Sequence, residues 1–339
     1  YPSRISPSDL QPEKTASMEF GGELKFFNNR FGIDLSYFDM VTTNQIMSVN
    51  VSTSSGFLTK AINAGEIETS GFEVALNAEI VRKNDFTWNA IVNWTKTKTQ
   101  VNTLAEGVTS YVLNSGWSPT TIEARPGEPF GQIYGIAYER DENGNKLVED
   151  GYYIAGTTPV VCGNTQPDWI GSLNNMFRYK KFSANVLIDT KWGGDLYSVT
   201  KWFGDYSGVT EATIKNNLRE TGAIADGMDI NTDQKNTVAV EPEYYFGDYW
   251  GKTEPAVIDG TYVKLREISI GYDIRLKGFI KLLNIGLYGR NLAVLYRDPS
   301  NDIRIDPEAA YGTGTNAVGV EQYTFPAVRT TGFKLRVDF

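Results

Sequence analysis

Apolar and polar residues alternate along several stretches of the chain. Between Ser17 and Phe27, Met18, Phe20, Gly22, Leu24 and Phe26 share one face, and Glu19, Gly21, Glu23 and Lys25 share the other. Period two predicts a strand, because successive side chains of an extended chain point to opposite sides. Asn28-Asn29-Arg30 supplies turn chemistry, and Phe31, Ile33, Leu35 and Tyr37 then alternate with Gly32, Asp34 and Ser36, which completes a hairpin. A second hairpin sets Phe72, Val74, Leu76, Ala78 and Ile80 against Glu73, Asn77 and Glu79, turns at Arg82–Asp85, and returns through Phe86, Trp88, Ala90, Val92 and Trp94. A third runs from Trp169 to Trp192 through Tyr179-Lys180-Lys181. In a fourth, Tyr262 to Leu295, Val263 and Leu265 are odd-numbered but Ile268, Ile270 and Tyr272 even-numbered, so a β-bulge near Arg266-Glu267 is required to keep one face apolar. A last strand places Phe333, Leu335, Val337 and Phe339 opposite Lys334, Arg336 and Asp338.

These strands predict an all-β chain of about nine strands. Connections within hairpins are short. Those between hairpins are long and rich in Gly, Asn, Thr and aromatic residues, near 49–63, 101–167, 198–260 and 296–326. Short turns at one end and long loops at the other are the asymmetry of a transmembrane antiparallel β-barrel, whose long loops are extracellular. The best helix signal, Thr210–Arg219, lies inside a long loop.

Composition narrows the partners. No apolar run approaches the length of a membrane-spanning helix, and the mean hydropathy is −0.32; neither argues against a β-barrel, whose strands average out to ordinary hydropathy. A net charge of −9 argues against nucleic acid as a partner. With no His and a single Cys162, the usual Ser–His, Cys–His and Cys/His metal sites cannot be assembled, so the chain is not expected to be an enzyme. Tyr1-Pro2-Ser3-Arg4 is not a signal peptide, so the chain is expected to begin mid-protein or after processing.

A large soluble β-protein would share the alternation, but three features favour a membrane wall. The polar face carries full charges such as Glu73, Asp189 and Lys191, as a wet lumen would. The distance from Phe86 and Trp88 to Trp94 is roughly 20–26 Å, close to a lipid-facing band bounded by aromatic girdles, with Trp192 in the same role. The strands also exceed the usual five or six residues.

The series LQPEKTASMEFGGELKFFNNRFGIDLSYFDMVTTNQI from Leu10, NAGEIETSGFEVALNAEI from Asn63, PGEPFGQIYGI from Pro126, QPDWIGSLNNMFRYKKFSANVLIDTKWGGDLYS from Gln166, DGTYVKLREISIGYDI from Asp259, LYGRNLAVL from Leu287 and FPAVRTTGFKLRVDF from Phe325 covers nearly the whole chain. In this order it resembles the C-terminal part of SusC/RagA-like TonB-dependent outer-membrane transporters of Bacteroidetes. The resemblance implies a 22-stranded barrel, with a plug domain and a TonB-contacting segment upstream of this chain. It further implies a SusD-like surface lipoprotein as partner and uptake of oligosaccharides or, in some members, peptides. A passive porin and a soluble carbohydrate-binding β-protein are the alternatives. Phe339 resembles the terminal aromatic that such barrels present to the barrel assembly machinery. The chain departs from the family at Glu139–Leu147, where an acidic Gly-rich loop is reduced to ERDENGNKL.

The candidate contacts lie in two aromatic loops, at Trp202 and Tyr206 in one and at Tyr244, Tyr245 and Trp250 in the other. These rings could stack on sugars, meet the lipoprotein or pack the loops together. Asp229, Asn231 and Asp233 have calcium-loop spacing, but Gln234 replaces the glycine and Val240 the bidentate Glu, so no metal is assigned. Asp141, Asn143 and Asn145 are expected to form a turn, and Asp306 and Glu308 to be solvated loop residues.

Overall fold

A computed structural model describes residues 4–5, 7–50, 56–308 and 318–339. Its main feature is a nine-stranded antiparallel meander: β1 (Lys14–Phe26), β2 (Phe31–Thr43), β3 (Glu66–Lys83), β4 (Phe86–Thr103), β5 (Pro167–Tyr179), β6 (Phe182–Gly193), β7 (Tyr262–Arg275), β8 (Leu282–Arg297) and β9 (Thr330–Asp338). Each strand pairs with the next in sequence. β1 and β9 are the edges, so the sheet is an open wall, not a closed cylinder.

The short turns are made where backbone chirality permits them. Asn28, Asn29 and Asn84 take positive φ, which asparagine tolerates better than most residues, and Lys180 does the same in the two-residue turn between β5 and β6. Register then fixes the faces. Leu24 sits opposite Ile33, Ile33 opposite Leu76, and Leu76 opposite Val92. Further along the sheet, Leu173 sits opposite Ile188 and Ile188 opposite Leu265. Residues directly opposite one another share a face, so the apolar face is continuous across the wall. Gly71 is required on the other face, since a Cβ there would lie 2.6 Å from the Phe38 ring.

The bulge in the fourth hairpin is present: Leu187 pairs with Glu267 and Ile188 with Leu265, leaving Arg266 as the extra residue. A second bulge departs from the sequence reading. Glu79 pairs with Asn89 and Val81 with Trp88, so Ile80 is an inserted residue and not an ordinary member of the alternation. The unbroken pattern from Phe72 to Ile80 conceals it, because the apolar pair Ile80-Val81 supplies an apolar residue in either register.

The long connections fold into a second layer at one end of the wall. Short strands Thr121–Ala124, Gln132–Gly135, Leu196–Ser198 and Val320–Glu321 and the helix Val199–Tyr206 converge there on one hydrophobic core. The expected helix at Thr210–Arg219 is not formed as one element. Asn216 and Asn217 adopt φ of 56° and split the stretch into 3-10 turns and a single helical turn, Leu218–Thr221. The regular helices are Val199–Tyr206, where the Ser198 side chain caps the Lys201 N–H, and Pro242–Gly247, where Pro242 occupies the first turn.

Candidate functional site

Helix Val199–Tyr206 carries Trp202 and Tyr206 one turn apart on the same face. The Trp202 ring is stacked on Tyr206 with centroids 5.5 Å apart, lies 5.4 Å from Trp250 and 6.1 Å from Trp117, and its Nε1 donates to the Tyr249 carbonyl at 3.1 Å. It is 1% exposed, so it is a core side chain with no ring face left for a ligand. Tyr206 (47% exposed), Trp250 (61%) and Tyr244 (64%) remain open to solvent. Trp117 and Tyr323 complete this surface, at 5.1 and 6.3 Å from Phe203. Sequence reading missed both because they lie in irregular loops far apart in the chain.

Tyr245 turns inward instead. It packs near Tyr153 and edge-on to Phe246, and burial pushes its phenol pKa well above the ordinary value. Cys162 is likewise half-buried, and desolvation pushes its thiol up to about 11, so it is a packing residue and not a nucleophile.

A clamp of ionic groups ties the last long loop to the wall. Lys264, 4% exposed, contacts Asp306 Oδ1 and Glu308 Oε2, each at 2.5 Å. Arg266, the bulge residue of β7, reaches Asp189 on β6 at 2.5 Å and Glu308 at 2.8 Å. The bulge thus aims a guanidinium between two carboxylates. Burial alone would raise Glu308, but hydrogen bonds from Arg266 and Lys264 and their charges outweigh it and hold its carboxyl at about 2. The expectation that Asp306 and Glu308 are only solvated loop residues is therefore corrected: Asp306 is largely buried against Lys264, and Glu308, still partly open to solvent, is held by Lys264 and Arg266. The sequence shows acidic loop residues, not the buried lysine that recruits them.

The other acidic candidates are used within their own turns. Asp229 Oδ1 accepts from the Asn231 and Thr232 N–H groups at 2.8 and 3.1 Å. Asp141 accepts from the Asn143 and Asn145 N–H groups at 2.9 and 2.8 Å, and these bonds, led by one from the Asn145 side chain, lower its pKa. The shortened Glu139–Leu147 loop is fastened by Arg140 to Glu254 at 2.5 Å.

On the apolar face two rows of rings bound the strands. Beside the short turns, Trp88 stacks on Phe177 at 5.7 Å and Phe182 lies 4.7 Å from Tyr272, with Phe86 next to its turn. At the loop end Trp169, Trp192 and Tyr296 stack in series at 5.8 and 6.0 Å, nearly parallel, and Trp94 lies on the same face opposite Gly171. Phe339 follows β9 and packs at 5.0 Å against Phe279 of the last short turn.

The sequence family described as "TonB dependent receptor-like, beta-barrel" matches residues 1–292. The chain belongs to this family. It is 24% identical to TonB-dependent receptor P3 of Formosa agariphila over 98% of its own length and 34% of that protein's. To TonB-dependent receptor P26 of the same organism it is also 24% identical, over 99% of the chain and 36% of that protein. The chain thus spans about a third of the length of the curated relatives it matches. In fold it is similar to a chain of the RagAB peptide transporter (TM-score 0.69, 16% identity, 96% of this chain and 35% of that one). The open-open state of the RagAB peptide importer gives 0.70 at 16% identity, over 98% and 35%.

For a wall of a TonB-dependent receptor-like barrel in the outer membrane, the apolar face is the one that meets lipid, and the two ring rows lie near its two ends. The polar face lines the lumen. Its charges are met mostly by near neighbours, Arg178 by Asp273 and Arg290 by Glu267 at 2.8 Å each, and Arg336 by Asp338 on the same strand. Glu73 instead sits opposite Ser36 and Thr95, and among the described residues no cation lies within ion-pair distance of it.

Proposed function

We propose that this chain supplies nine wall strands and the extracellular loop layer of a TonB-dependent outer-membrane importer of oligosaccharides. On this reading a plug and the TonB-contacting segment come from parts of the protein outside this chain, and a SusD-like surface lipoprotein closes over the loop layer. The carrying observation is the exposed ring pair Tyr206 and Trp250, centroids 6.3 Å apart, with Tyr244 also exposed on helix Pro242–Gly247, on a loop layer with its own packed core. Open aromatic faces on a rigid support suit sugar rings, which offer flat C–H surfaces edged by hydroxyls. Peptide import is the second reading, favoured by the likeness in fold to the RagAB peptide transporter.

The test is binding by the full-length protein with its neighbouring lipoprotein, measured by calorimetry against oligosaccharide and peptide panels. Oligosaccharide binding that is weakened when Tyr206 and Trp250 are replaced by Ala supports the first reading; binding of peptides alone replaces it with the second. A steady large conductance of the intact protein in planar bilayers would overturn both in favour of a passive porin.

Phe339 is proposed as the residue presented to the barrel assembly machinery. Deleting it should lower the amount of protein in the outer membrane more than uptake per assembled barrel, and unchanged abundance would refute the role.

A further inference from the structure

Charge is distributed unevenly along the wall. The four short turns, residues 27–30, 82–85, 179–182 and 275–281, hold eight of the chain's 32 basic residues and one of its 41 acidic residues. The first carries Arg30, the second Arg82 and Lys83, the third Lys180 and Lys181, and the fourth Arg275, Lys277 and Lys281; all eight are exposed. Glu79 answers Arg30 and Arg82, and Asp85 lies 3.9 Å from Lys180. Among the described residues, Lys83, Lys181, Arg275, Lys277 and Lys281 have no carboxylate within ion-pair distance. In a protein of net charge −9, this rim is locally cationic.

Each cationic turn also sits beside outward rings. Phe26 and Phe31 flank the first, Phe86 and Trp88 follow the second, Tyr179 and Phe182 bracket the third, and Phe279, 81% exposed, projects from the fourth beside Phe339. Aromatic side chains settle at headgroup depth, and long basic side chains just beyond them extend to the phosphates.

We propose that this rim binds anionic phospholipid headgroups of the periplasmic leaflet, phosphatidylglycerol-type phosphates being held by the unpaired cations of successive turns. The unpaired cations stand at three successive turns, Lys83 at the second, Lys181 at the third and Arg275, Lys277 and Lys281 at the fourth, and follow the aromatic row. That line matches a membrane surface, whereas a soluble acidic protein would require a compact patch. The inference rests on the membrane orientation proposed above, in which the short turns are periplasmic.

The experiment uses the full-length protein in nanodiscs containing equal parts phosphatidylglycerol and phosphatidylcholine, with retained lipids counted by native mass spectrometry. Wild type should retain phosphatidylglycerol with roughly tenfold preference, since each basic side chain near an anionic surface adds a few-fold. The preference should collapse at about 1 M salt, where the screening length falls to about 3 Å. Replacing Lys83, Lys181, Arg275, Lys277 and Lys281 by Gln should bring retention close to parity, with the melting temperature in phosphatidylcholine unchanged. Lys215→Gln with Lys235→Gln, in the loop layer, should leave the preference intact. A wild type without preference, a preference insensitive to salt, or a five-site variant that keeps it would overturn the proposal and leave the rim to a soluble acidic partner. Orientation is tested separately by maleimide labelling of Lys181→Cys in a Cys162→Ser background. Labelling from outside intact cells would overturn the orientation itself, and no such labelling with equal lipid retention would overturn only the lipid site.

Discussion

The wall and the loop layer are built from one chain under opposite solvent rules. Of the buried hydrophobic residues among those described, only Ala90, Val101 and Tyr262 come from the nine strands, whereas Ile122, Ile133, Tyr197, Val199 and Trp202 all lie in the loops. The wall instead exposes Phe20, Leu24, Phe72, Ile270, Leu287, Phe333 and others along one face. A soluble sheet would cover such a face with a second layer. Here the loops bury their apolar surface against one another as a water-soluble domain does, and the wall leaves its apolar surface for lipid. Loops that connect barrel strands can therefore hold a fixed shape above the membrane, which a ligand surface requires.

The contrast is broken most severely at the loop-layer core and at the lipid face of the wall. Trp202→Ala should cost about 4 kcal/mol of loop-layer stability, because it empties a fully buried site touched by Trp117, Tyr206 and Trp250. The wall should be spared, so hydrogen exchange should accelerate over 196–206 and 249–258 while β3 to β6 remain protected. Next in size is Ile188→Arg, on the lipid face between Leu173 and Leu265. It should cost about 3 kcal/mol in reversible unfolding from lipid vesicles, as expected for a cation near the bilayer midplane. Were the wall a soluble sheet face, the same change would cost far less, because the guanidinium would reach water.

How legible each region was follows from the same contrast. The hairpins can be read because a two-sided wall imposes period two, and even the bulge at Arg266 is visible as a change of parity from Leu265 to Ile268. The bulge at Ile80 is not, since two adjacent apolar residues hide the shift. In the loop layer the rings at Trp202, Tyr206 and Trp250 are recognisable as a class, but nothing local separates buried Trp202 from exposed Trp250, because burial there depends on three loops meeting. Lys264 illustrates the same limit. Its alternation places it in the lumen, and only the return of the last loop supplies Asp306 and Glu308.

That junction between wall and loop should respond to acid, with a smaller effect than at the loop-layer core or the lipid face. Glu308 has a folded-state pKa of about 2 against an ordinary value of 4.5, so its contribution is complete above about pH 4.5 and is lost as pH falls through 2. Exchange protection of Asn301–Glu308, corrected for the intrinsic rate, should therefore hold from neutral pH to about 4.5 and decline below it. Glu308→Gln should weaken the docking at neutral pH and remove this carboxylate's share of the acid response. An undiminished decline in that variant would assign the transition to Asp306.

The smallest effect on stability should come from Trp250→Ala, and it sharpens the comparison within the loop layer itself. Trp250 shares the ring cluster with Trp202, yet most of its surface is in water, so its removal should change unfolding by about 0.5 kcal/mol or less. Its effect should fall on ligand affinity, with oligosaccharide binding to the full-length protein weakened roughly three- to tenfold, the value of one aromatic stacking contact. Calorimetry and thermal unfolding on the same sample separate the two quantities. A large loss of stability with unchanged binding would make Trp250 a second core ring and leave Tyr206 and Tyr244 as the ligand-facing surface.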